Sequence, residues 1–220
     1  NPEHTPLLKL LAGSIINYVD RPNLPTDIHA WNNEVNGQWD FGDQLLYKSN
    51  NNPDQILLHG RLAAISLTLI TAILLYYWVL KIFNFRTALL ALILFAFSPT
   101  ILAHGGYLTF DISAAFGILL IIIAFSNWLN KPNWLTTISV GLLAGIALLT
   151  KFSVIIMLPI VFIWVIAAIK YNKFEFSFAK AFAIIILLIL TIYGAYWPLT
   201  RHYPIVKHIA DSEIVTNQWK

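Results

Sequence analysis

The sequence predicts an all-α polytopic membrane protein, six transmembrane helices preceded by an extracytoplasmic segment that carries an amphipathic helix. Three observations predict it. Of 220 residues 58% are hydrophobic and 11% charged, where a soluble domain carries about 25% charged residues. The apolar residues gather into six long uncharged runs, and basic residues favour alternate connections between them. The mean hydropathy of +0.67 agrees. Cysteine is absent, which removes a disulfide-stapled secreted module, and the composition also excludes disorder, coiled coil and collagen. A net charge of +3 with a pI near 9.1 is too weak and dispersed for a nucleic-acid partner. The bilayer is the expected partner.

Residues 1–57 are polar and rich in Asn and Pro, and form an outer segment ahead of the first span. Thr5 followed by Pro6 reads as the N-cap and first residue of a helix. Leu7, Leu8, Leu11, Ile15 and Val19 then make one apolar stripe, which predicts a helix lying along the membrane surface. Lys9 falls in its first turn, off the stripe. A cation beside a helix N-terminus is unfavourable unless an anion is shared between them, so Glu3, His4 and Lys9 make a candidate anion or phosphate corner. A solvated helix whose lysine meets lipid headgroups is the alternative. Trp31 and Trp39 read either as a sugar-stacking platform or as local core. A segment outside the membrane at residue 1 needs an export signal or a preceding helix, and none is seen. An upstream transmembrane helix is therefore expected ahead of Asn1, with truncation at both ends.

The membrane region is expected over residues 58–200. Uncharged runs cover 62–80, 87–110, 112–130, 132–150, 152–169 and 181–200, each on the order of the 20 residues that cross a hydrocarbon core of about 30 Å. Lys81 and Arg86, then Lys131, then Lys170, Lys173 and Lys180 occupy one set of connections, which the positive-inside rule assigns to the cytoplasm. Of the acidic residues only Glu175 falls on that side. All six histidines fall outside, so the outer face is where chemistry is expected. Tyr76, Tyr77, Trp78, Trp128 and Trp134 on one side and Tyr193, Tyr196 and Trp197 on the other read as interfacial anchors. Residues 201–220 form an outer tail.

Three outer connections carry candidate chemistry. In His104-Gly105-Gly106-Tyr107-Leu108-Thr109-Phe110-Asp111, the carboxylate opens a helix returning into the bilayer, where a charge is costly and so has a task; simple capping by Thr109 or Asp111 is the alternative. Lys151 is the only charge at a turn almost without a loop. It either snorkels to headgroups or holds a lipid phosphate, and Arg61 at the outer end of the first span poses the same pair of readings. No phosphate loop, nucleophile elbow or metalloprotease motif occurs, and no metal or cofactor is called for; His202 and His208, six apart, are the nearest approach to metal spacing.

Several motifs occur in order: Asn1-Pro2-Glu3-His4-Thr5-Pro6-Leu7-Leu8-Lys9, Leu58-His59-Gly60-Arg61-Leu62, Phe95-Ala96-Phe97-Ser98-Pro99, Leu102-Ala103-His104-Gly105 with Thr109-Phe110-Asp111, and Gly141-Leu142-Leu143-Ala144-Gly145 with Leu148-Leu149-Thr150-Lys151-Phe152-Ser153. Together they resemble the bacterial phospholipid-carrier-dependent glycosyltransferases, relatives of the protein O-mannosyltransferases and lipid A aminoarabinose transferases with a GT-C, family 39-like fold. The resemblance implies part of that fold, the N-terminal half. It implies transfer of a sugar from a polyprenyl-phosphate carrier to a protein, lipid or glycan acceptor on the outer face of the cell (inner) membrane, with inversion. An acidic residue acts as base and no nucleotide sugar is needed. By position Lys9 matches the lysine near the donor phosphate and Asp111 the second acidic position, while His104, Arg61 and Lys151 match recurrent positions. The family's Asp-Glu pair precedes the Asn-Pro-Glu-His motif, so the main base is expected upstream of Asn1. A transporter and a non-catalytic scaffold of the same fold are the other readings; the ionisable groups sit at the outer ends of spans rather than at the midplane where transporters hold them.

Overall fold

The computed structural model describes residues 5–32, 34, 37–171, 177–201, 209, 212 and 216. Among these the chain is helical and forms no strand. The N-terminal segment contributes α1 (Leu7–Val19), α2 (His29–Asn32) and α3 (Gln38–Asp43), the last running into a π turn at Gln44–Lys48. Asn52 then caps α4 (Pro53–Ile82), its side chain accepting from the Gln55 N–H with Pro53 opening the helix. Thirty residues span about 45 Å, so α4 extends well beyond a hydrocarbon core.

Asn84 caps α5 (Phe85–Ala96) in the same way, accepting from Thr87 N–H at 3.0 Å. Ser98-Pro99 interrupts the second expected span, because proline supplies no N–H to the preceding turn, and the chain resumes as α6 (Pro99–His104). Then come α7 (Phe110–Asn130), α8 (Trp134–Leu148), a 3-10 turn at Phe152–Ile156 leading into α9 (Met157–Lys170), and α10 (Phe178–Thr200). Asn133 and Thr136 form a reciprocal capping box that starts α8.

Among the described residues four segments are long and apolar enough to cross a membrane: Pro53–Ile82, Phe110–Asn130, Phe152–Lys170 and Phe178–Thr200. The second and fourth expected spans are represented by the shorter apolar helices Phe85–Ala96 and Trp134–Leu148. The spanning helices turn large apolar side chains outward, among them Leu69, Ile73, Ile163, Phe182 and Ile189.

The core is built where small residues let helices approach. Gly141 and Gly145, one turn apart on α8, face α10: a Cβ on Gly145 would lie 2.6 Å from Thr191 Cβ, and one on Gly141 2.5 Å from Leu187 Cβ. This is the small-xxx-small contact of membrane helices. On its other side α8 packs on α7. Ile121, Ala147, Val154, Met157 and Val161 form one cluster there, and Ala124, Trp128, Leu129 and Val140 a second. Trp128, expected as an interfacial anchor, is 2% exposed; its indole N–H donates to Thr137 Oγ1 at 2.9 Å and its ring meets Phe125 edge-on. A polar partner nine residues away makes this tryptophan core.

The outer helix differs from its sequence reading in two ways. Thr5 is not its N-cap: Pro6 holds that position, α1 begins at Leu7, and no side chain caps it. Nor does it lie flat on its large residues. Leu8, Ala12 and Ile15 pack on Ala63 and Leu67 of α4 and on Phe110 and Phe116 of α7, while Leu11 and Val19 are exposed. Small Ala12 permits the close approach that a stripe of leucines does not. The helix runs antiparallel along α4, Leu8 beside Leu67 and Asp20 beside His59.

Candidate functional site

One end of the helix bundle gathers most of the singled-out residues. The Leu7 N–H, one of the donors a helix start leaves unpaired, bonds to the Leu149 carbonyl at 3.2 Å. That bond fixes the first turn of α1 against the turn after α8. Lys9, half-buried in that first turn, lies over the Phe110 ring at 5.9 Å. The next residue, Asp111, reaches across to the same turn from the other side: its Oδ1 accepts from Lys151 Nζ at 2.9 Å. The pair is partly open, with 36% of the lysine and 51% of the aspartate side chain exposed.

The approach of α7 to the α8 turn that makes this ion pair depends on Gly117. A Cβ there would sit 2.5 Å from Thr150 Oγ1 and 3.1 Å from the Ala147 carbonyl. Thr150 is fully buried and donates to that same carbonyl at 2.6 Å. Capping does not account for Asp111. Thr109 occupies the N-cap of α7, and no side chain makes a capping bond. Asp111 stands in the first turn, where the helix dipole favours a carboxylate, and spends Oδ1 on Lys151.

His104 ends α6 and lies close enough to act on the Asp111 carboxylate electrostatically. The turn that carries it is anchored to α4, Thr68 Oγ1 donating to the Gly105 carbonyl at 2.9 Å. Arg61 is exposed and stacks on Tyr107 at 5.0 Å, so it belongs to this turn rather than to the ion pair. Glu3 and His4 lie outside the described residues, as do His202 and His208. Trp31 pairs with Phe41 at a centroid distance of 5.1 Å, whereas Trp39 is 82% exposed and is not core.

Sequence reasoning took Thr5 and Thr109 for caps and missed Ser113. The hydroxyls of Thr5, Thr109 and Ser113 are buried without a hydrogen-bond partner among the described residues. Thr109 and Ser113 flank Asp111 along the chain, and such orphan groups mark a place for water or ligand. Also missed was a hydrogen-bonded contact between Asp20 and His59, whose Nδ1 lies 2.8 and 2.9 Å from the two carboxylate oxygens. A signal for it existed. Asp20 ends α1, where the helix dipole disfavours an anion, so a compensating donor was to be sought.

The fold and site thus define a multi-pass helical membrane protein that concentrates lysine, histidine and one carboxylate at one end of its bundle. The family model of the dolichyl-phosphate-mannose-protein mannosyltransferases matches residues 23–208. The chain belongs to that family, membrane glycosyltransferases of the GT-C class. Arg61, His104, Asp111 and Lys151 fall within the matched residues and Lys9 before them. Searches of curated proteins and of solved structures return no match.

Proposed function

We propose that this protein takes part in transferring a mannosyl unit from a polyprenyl-phosphate carrier to a hydroxyl of a protein acceptor, on the outer face of a bacterial inner membrane. The observation that supports this most directly is the convergence of Lys9, His104 and the Lys151–Asp111 pair at one end of the bundle. The family's name supplies donor and acceptor class. In this reading the short helices α5 and α8 complete six crossings, α5 together with α6 and α8 together with its end turns.

The acceptor oxygen attacks the anomeric carbon from the face opposite the carrier. The bond from that carbon to the phosphate oxygen breaks, configuration inverts, and the phosphate leaves as an anion on its lipid. Lys9 and Lys151 stabilise the charge that develops there; a fixed cation in a partly dehydrated site does this better than mobile water. Arg61 adds positive potential to the same turn, and His104 lies beside Asp111. Asp111 sets the position of Lys151 through Oδ1. The acceptor proton passes to an acidic residue acting as general base.

The test is mannosyl transfer from a polyprenyl-phosphate-mannose donor by the membrane-embedded protein. Asp111→Asn is expected to lower the rate by about 10²-fold or more while leaving membrane insertion and yield intact. Lys9→Ala should weaken donor binding. Transfer at the parental rate by Asp111→Asn would remove that residue from the site.

A further inference from the structure

At the far end of α1 from Lys9 the N-terminal segment folds around a cavity of about 210 Å³, lined by residues 20–23, 50–52, 55 and 56. This volume equals that of about seven liquid water molecules. Its two walls are clasped together: the Asn23 N–H donates to Asn51 Oδ1 at 2.8 Å, and Asn51 Nδ2 donates back to the Asn23 carbonyl at 3.0 Å. Each wall also holds a non-glycine residue at positive φ, Arg21 at 46° and Asn50 at 56°. Such conformations persist only where surrounding structure enforces them.

The chemistry offered inside is mixed. Asp20 lines the cavity with a carboxylate whose side chain is 8% exposed. One imidazole N–H of His59 is shared between its two oxygens, although an ionised carboxylate has about four acceptor positions. Acceptor capacity therefore remains on the carboxylate. Arg21 contributes donors, and Asn50, Asn52 and Gln55 bring carboxamides that both donate and accept. Opposite charges on Asp20 and Arg21 offset each other, which disfavours an anion or a cation as occupant. A compact neutral ligand that presents donors and acceptors in equal measure fits, and a sugar ring is that ligand.

We infer that this cavity binds one neutral sugar unit of an oligosaccharide. It is separate from the reacting corner: Lys9 and Asp20 are eleven residues apart along a helix, about 16 Å. Binding there does not rest on the transfer reading, since a sugar is held whether or not the corner transfers one.

The experiment uses the full chain in lipid nanodiscs, with mannotriose, maltotriose and cellotriose as probes and trialanine as a peptide probe. Saturation-transfer NMR and calorimetry report binding. At least one trisaccharide is expected to bind, and Asn50→Gly and Gln55→Ala each to weaken it about three- to tenfold, the worth of a hydrogen bond. Asn50→Gly removes the amide while keeping a residue that accepts positive φ, and circular dichroism and thermal unfolding check that each variant is folded. If neither folds, Arg21→Gly applies the same criterion from the opposite wall. No binding of any trisaccharide, unchanged binding in the folded variants, or binding of trialanine in place of the sugars would overturn the inference.

Discussion

Replacing Gly117 by alanine tests how the ion pair of the candidate site is set. The added Cβ would lie 2.5 Å from Thr150 Oγ1, and ordinary contact begins at 3.4 Å, so α7 and the α8 turn must part by about 0.9 Å. Thr150 cannot swing aside at no cost, because it is fully buried and bonded to the Ala147 carbonyl. Asp111 stands six residues along α7, about 9 Å away, and Lys151 directly follows Thr150. Opening the 2.9 Å contact between them by that amount takes it to about 3.8 Å, beyond hydrogen-bond range. A displacement of this size in a catalytic array costs about 10²-fold in rate, and overpacking of this kind about 1–3 kcal/mol in stability. The assay is mannosyl transfer by the membrane-embedded protein, alongside thermal unfolding. Thr150→Ala in the same chain removes the closest contact and should restore part of the rate. Transfer at the parental rate by Gly117→Ala alone would refute the claim that this close approach sets the ion pair.

The same contacts give further expectations. Gly145→Ala should destabilise by about 1–3 kcal/mol, as its Cβ meets Thr191 Cβ at 2.6 Å, whereas Gly13→Ala, with nothing within 4 Å, should stabilise α1 by about 0.5–1 kcal/mol; thermal unfolding in detergent measures both. Trp128→Phe removes the buried bond to Thr137 and should cost about 1 kcal/mol, a melting shift of about 2–4 °C, with Thr137 left its bond to the Asn133 carbonyl. Lys151→Ala should lower the transfer rate more than it raises the donor KM, since it removes charge needed as the phosphate leaves; an effect on KM alone would make Lys151 a headgroup contact.

Much of the architecture was legible because uncharged runs of spanning length have few other uses. Four of them became long apolar helices, and Lys81 reaches Asn127 at the end opposite Lys151 and Asp111. What stayed hidden was pairing across sequence distance. Lys151 and Asp111 were each conspicuous as isolated charges, yet their contact is set by Gly117, a residue whose importance appears only once α7 and α8 are packed. Periodicity chose the large residues of α1, and packing chose Ala12. Trp128 was placed by its distance from a helix end, a rule blind to the hydroxyl of Thr137. Asp20 and His59 lie 39 residues apart, and only the unfavourable end-charge of α1 hinted at a partner.

The path of α1 along α4 bears on how this protein can be dissected. Leu8 and Ala12 are buried against Ala63 and Leu67, residues of a helix that begins at Pro53 and continues unbroken to Ile82. A cut at residue 58 would sever that helix five residues after its start and bare the apolar face of α1. The N-terminal segment therefore shares its core with α4 and α7, and expressed alone it should aggregate or remain unfolded. Joined to α4, it is one mechanical piece with the membrane region, so a load applied to the Asp20–His59 tie is carried through a single rigid rod to Lys81.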